Sequence, residues 1–112
     1  MKIINWNDFK KIELRVGTII QVNEFPEAIK PAYKIKIDFG KKIGIRKSSA
    51  QITDLYSKKD LLGKQVIAVT NLSPKKIGPF ISECLITGFY KENESVVLAT
   101  ADQKIKNGAL LS

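Results

Sequence analysis

Histidine is missing from all 112 residues, and cysteine occurs once, at Cys84. A lone cysteine excludes an intrachain disulfide. Without histidine, the usual zinc donor sets are out of reach, and so is the base that normally activates a catalytic thiol. Cys84 sits in an apolar strand pattern and reads as a buried, inert thiol. There is no run of roughly 20 apolar residues that could cross a bilayer as a helix. The first residues, Met1 to Asp8, lack the long apolar centre of a secretory signal, so a cytoplasmic protein without membrane insertion is expected. No phosphate-cradling glycine loop and no paired acids are in view, so no catalytic residue, metal or cofactor is assigned.

What the chain has is positive charge, unevenly placed. The net charge is +8. Residues 30–47 carry Lys30, Lys34, Lys36, Lys41, Lys42, Arg46 and Lys47 against Asp38 alone. Residues 58–76 carry Lys58, Lys59, Lys64, Lys75 and Lys76 against Asp60 alone. The first 29 and the last 22 residues are each neutral. Two basic mid-chain segments point to a patch for an anionic partner, nucleic acid foremost. Lysine used for solubility gives the same count.

Hydrophobic periodicity organises the chain as one domain over residues 1–112. Trp6, Phe9 and Ile12 fall at helical spacing behind Asn7 or Asp8 as caps. Leu14, Val16, Thr18, Ile20 and Val22 then alternate with Arg15, Gly17, Ile19 and Gln21, which predicts a strand with Arg15 on its outer side. Tyr33, Ile35, Ile37 and Phe39 alternate with Lys34, Lys36 and Asp38. A tight turn at Gly40-Lys41 leads to Ile43 and Ile45, with Lys42 and Arg46 facing out. Ser48 or Ser49 caps a predicted helix from Ala50 to Tyr56, and a second helical turn ends at Gly63. Strands follow at about Gln65–Thr70, Phe80–Phe89 and Val96–Leu98, with an edge piece at 109–111.

Three strands, a helix and two strands suit an all-β, five-stranded Greek-key barrel of the OB-fold type, with a helix between strands three and four and extensions at both ends. In such barrels strands two and three bind oligonucleotides, flanked by the loops after strand one and before strand five. Those elements here hold Lys34, Lys36 and Arg46, with Lys75 and Lys76 on the later loop. Ser49 and Gln51 are candidates to position a sugar-phosphate backbone. Ser82 can donate to phosphate or finish a strand-end hydrogen bond. Arg15 can grip a phosphate or pair with a carboxylate. Phe25, Ile29, Phe80 and Ile81 lie on or beside the flanking loops. They either form an apolar patch for a polypeptide or complete the core or a subunit contact. Inward-facing Tyr33 and Phe39 leave few stacking aromatics, which favours folded RNA over single strands.

Phe9 to Ile19 (FKKIELRVGTI), Ser48 to Thr53 (SSAQIT) and Asn71 to Ser82 (NLSPKKIGPFIS) resemble the signatures of the bacterial and archaeal tRNA-binding domain. With Phe25-Pro26-Glu27-Ala28 and Lys30-Pro31-Ala32-Tyr33, the chain is similar to the stand-alone CsaA subgroup. The resemblance implies an OB-fold homodimer with chain ends in its interface. It also implies a protein-export chaperone that binds unfolded or pre-export polypeptides without nucleotide hydrolysis. The alternative partner is tRNA, bound by shape. Relatives place the lysine and serine of a glycine-containing motif at Lys76 and Ser82, and methionines at Ile77 and Leu85.

Overall fold

A computed structural model describes all of residues 1–112. Helix α1 (Trp6–Lys10) is capped by Asn5, not by Asn7 or Asp8: Asn5 Oδ1 accepts from the Asp8 N–H at 2.9 Å, and Asp8 serves as the return partner of a capping box. Strand β1 (Leu14–Glu24) follows, then β2 (Tyr33–Asp38). A helical turn, α2 (Gly40–Ile43), leads to β3 (Ile45–Ala50). Helix α3 (Lys58–Leu61) precedes β4 (Gln65–Val69). The short strands β5 (Lys75–Ile77), β6 (Phe80–Ser82), β7 (Leu85–Ile86), β8 (Gly88–Tyr90) and β9 (Val96–Leu98) complete the chain.

The main sheet is antiparallel in the order β3-β2-β1-β4-β7. Its outer strands curl toward each other where the Glu83 N–H donates to Lys47 O at 2.7 Å and Ser48 Oγ donates to Cys84 O at 2.9 Å. The result is a nearly closed barrel of the expected OB-fold class, filled by Ile19, Ile35, Ile37, Phe39, Leu61 and Val66. Helix α3 lies between β3 and β4 in the chain, as predicted. No helix is long and apolar enough to cross a membrane.

Register corrects several sequence expectations. In β1, Ile19 pairs with Ile37 and Gln21 with Lys36, so Ile20 has no partner and forms a bulge. Before the bulge Gly17 and Ile19 face the core; after it Val22 does, while Ile20 is exposed. Arg15 therefore shares its parity with the inward residues and lies at one barrel end. The turn after β2 is helical, with Gly40 and Gly44 both at positive φ. That shifts β3, so Ile45 faces out and Arg46 pairs with the buried Ile37. The predicted helix over Ala50–Tyr56 is absent: β3 runs through Ala50, Ser48 is buried in the barrel seam, and Ser57 with Asp60 caps only α3. The long strand expected over Phe80–Phe89 breaks at Glu83-Cys84, where the chain crosses to β3. The edge piece forms, with Val16 N–H donating to Ala109 O and Leu111 N–H to Leu14 O.

Candidate binding face

The bulge at Ile20 decides what the outer face of β1, β2 and β3 presents. Two cross-strand rows result: Gln21–Lys36–Lys47 and Asn23–Lys34–Ser49. Directly opposed side chains on antiparallel strands have Cβ atoms about 5 Å apart. Successive rows on one face lie about 7 Å apart along the strands. These six polar groups form a small grid; none is a carboxylate, and the one carboxylate at its edge, Glu83, is engaged by the Lys47 N–H at 2.9 Å. Lys36 faces Lys47 directly, an arrangement that costs stability without an anion between them.

Beside the grid, the Phe25 and Phe80 rings pack with centroids 5.4 Å apart. Lys34 Nζ lies 5.5 Å from the Phe25 centroid and Lys47 Nζ 5.6 Å from that of Phe80. Each such contact contributes on the order of 0.5–1 kcal/mol at an exposed site. A shallow pocket of about 190 Å³ is lined by Gln21, Asn23, Lys34, Lys36, Lys47 and Phe80, with Ile35 beneath. Phe25 is buried and Phe80 half-buried, so the pair is a floor under cations, not an open apolar patch.

The β5–β6 hairpin carries the second group. Lys75 pairs with Ser82, and Ile77 with Phe80, on one face; Lys76 pairs with Ile81 on the other. Lys75, Ser82, Ser49 and Gln51 line a common groove of about 550 Å³ with Ile77 and Leu85. Ser82 also has structural work: its Oγ accepts from the Ser49 N–H at 3.4 Å and donates to Cys84 O at 3.2 Å. Next to this junction, burial pushes the Cys84 thiol up to about 11, against the opposing hydrogen bond from Ser48.

The structure thus gathers Lys34, Lys36, Ser49, Gln51, Lys75 and Ser82 along one side of the barrel. It separates Lys76 and Ile81, which turn to the opposite hairpin face, and Ile29, which stands fully in solvent. Arg46 points the other way from Lys34 and Lys36, with Nε donating to Ile43 O. Arg15 has the carboxylate partner: Nε and Nη2 donate to Glu13 at 3.3 and 3.0 Å, and Nη1 to Gly108 O at 2.8 Å. Sequence reasoning missed Gln21, Asn23 and Lys47 as members of the grid. Alternation alone gave no sign of the bulge, whereas Gly40 and Gly44 bracketing three residues did signal a turn longer than two. No three His, Cys, Asp or Glu side chains are grouped to hold a metal ion.

A family model described as a putative tRNA binding domain matches residues 14–110. The crystal structure of a CsaA chaperone protein from Picrophilus torridus superposes with a TM-score of 0.92 at 49% identity, covering 98% of this chain and 100% of that one. That of chaperone CsaA from Bacillus anthracis gives 0.93 at 41% identity, covering 99% and 100%. A methionine–tRNA ligase of Pyrococcus horikoshii is 38% identical over 109 residues. This chain spans only 14% of that ligase's length.

Proposed function

The chain belongs to the putative tRNA-binding domain family, and from that premise we propose that it is a homodimeric protein-export chaperone of the CsaA kind. It binds unfolded or pre-export polypeptides and hydrolyses no nucleotide. The observation that carries this reading is the end-to-end likeness to two CsaA chaperones, which leaves no substantial segment of either protein unmatched. Lys34 and Lys47 over the Phe25–Phe80 floor suit carboxylates of an extended segment, with the half-buried Phe80 ring as the one apolar contact beside them. A dimer is supported at the chain ends. The 109–111 segment lies along β1, close to where α1 enters it, and Trp6, Ile12, Leu110 and Leu111 there are exposed. The test is binding of a permanently unfolded, reduced and carboxymethylated polypeptide without nucleotide. Saturable binding that weakens several-fold in Phe80→Ser, with an unchanged circular dichroism spectrum, is expected. Absence of saturable binding by the wild type overturns the reading.

A second reading, structure-specific tRNA binding, is favoured by the carboxylate-free grid around Lys34, Lys36 and Lys47. Each phosphate neutralised releases counterions and steepens the salt dependence of affinity. Buried Phe25 and half-buried Phe80 offer little stacking surface, which points to a folded RNA read by charge and shape. Binding of bulk tRNA measured at two salt concentrations tests it: weak, non-saturating association at both removes it.

A further inference from the structure

A second basic cavity lies at the far end of β2, away from the hairpin. It measures about 810 Å³, and its lining includes Arg15, Lys41, Lys42, Lys106 and Asn107. No carboxylate lines it. By contrast, another cavity mixes Lys30 with Asp54 and Glu94, and a third pairs Lys104 with Asp102.

The cavity is built by close backbone packing. Gly40 and Gly108 have φ of +88° and +91°. A Cβ on Gly40 would lie 2.8 Å from Asn107 O, and one on Gly108 would lie 2.6 Å from Phe39 O. Only glycine fits at either position, and their contact brings Lys106 to the rim that holds Lys41 and Lys42. Asn107 Oδ1 accepts from Thr18 Oγ1 at 2.8 Å and from Gln65 Nε2 at 3.1 Å, which leaves its Nδ2 free to donate. The Arg15 guanidinium is held by Glu13 and Gly108, so its charge is already balanced. Lys41, Lys42 and Lys106 are not: none of the three makes an ion pair. Three uncompensated ammonium groups around a concave surface repel one another until an anion enters.

The geometry points to a second phosphate-binding site for RNA, formed by α2 and the 106–109 segment, that extends the track of the strand grid. This inference rests on the RNA reading given above. Continuity favours RNA: Lys41 follows Lys36 by five residue steps, at most about 18 Å of backbone, with Asp38, tied to the Gly40 N–H, the one carboxylate between them. A strand with one phosphate per about 3.4 Å of rise covers that span in about five nucleotides. The loop after β2 lies outside the surface through which OB-folds ordinarily meet oligonucleotides, so this site adds contacts without displacing those of the grid.

The experiment measures affinity for bulk tRNA against salt concentration. It compares the wild type, a Lys41→Gln/Lys42→Gln/Lys106→Gln variant, a Lys34→Gln/Lys36→Gln/Lys47→Gln variant and a Lys2→Gln/Lys59→Gln/Lys91→Gln control of equal net charge. The cavity variant is expected to lose roughly two to three from the log–log slope, at about 0.9 per phosphate contact, while the control keeps the wild-type slope. A cavity variant matching the control, beside a grid variant that loses slope, overturns this site and leaves the RNA reading standing. A wild type that fails to bind tRNA at low salt overturns both. Poly-L-glutamate bound in dependence on the cavity lysines, with the tRNA slope unchanged, makes the occupant an acidic polypeptide and also overturns the proposal.

Discussion

Cys84 shows how far a single side chain can be argued. Its place in an apolar pattern made a buried thiol legible without coordinates, and the structure buries it at the seam between β3 and the 82–84 crossing. Its ordinary value of 9.0 is raised to about 11 chiefly by burial. The folded state therefore holds the proton when the unfolded state has released it. The stability this contributes is complete below about pH 9 and is lost between about 9 and 11. The size is on the order of 2–3 kcal/mol. Comparing alkaline unfolding of wild type and Cys84→Ala should show a steeper decline in the wild type over that range; parallel curves would refute it. Gly17 is a second case. A Cβ there would sit 2.5 Å from Ile37 Cγ2 and 2.7 Å from the Phe39 ring, both fully buried. Gly17→Ala should destabilise by about 2 kcal/mol, read as a lower urea midpoint with an unchanged slope.

Among the elements, the strands were legible and their phase was not. β2 was plain in the sequence, because Tyr33, Ile35 and Ile37 alternate with Lys34 and Lys36 without a break. β1 was found but misphased, since Ile19 and Ile20 are equally apolar and only pairing with Ile37 tells which faces inward. β3 was misplaced because Ser48 and Ser49 look like helix caps until the barrel seam claims both. The β5–β6 hairpin separates two lysines that adjacency in the sequence had joined. Lys75 faces Ser82 and the groove; Lys76 faces Ile81 and solvent. Lys75→Glu should weaken tRNA binding several-fold and reduce the salt slope by about one or more, while Lys76→Glu should leave both near wild type. Filter binding of the two variants side by side decides this, and equal losses would contradict the assigned faces.

For the whole molecule, the barrel class followed from element order, and the choice of partner did not. A cationic exterior serves an RNA phosphate and a polypeptide carboxylate by the same electrostatics, so charge counting alone stops short of the ligand. Quaternary state is more accessible. Trp6, Phe89, Tyr90, Leu110 and Leu111 all stand well exposed on chain-end elements or on the β8–β9 hairpin, apolar surface that a subunit contact would cover. Sedimentation equilibrium is expected to give twice the 12.5 kDa chain mass. Leu110→Lys/Leu111→Lys should shift that toward the monomer. A wild type that stays monomeric at high concentration would remove the dimer.

The unpaired residue in β1 makes this architecture tolerant in one respect and brittle in another. Positions 21, 23, 36 and 49 face away from the barrel interior and can be rewritten for a different ligand without altering the pairing of the inward residues. Pairing of Ile20 with Lys36 in place of Gln21 would do the reverse: the strand beyond it would slip by one residue, delivering two amides to the oily centre and a valine to the water.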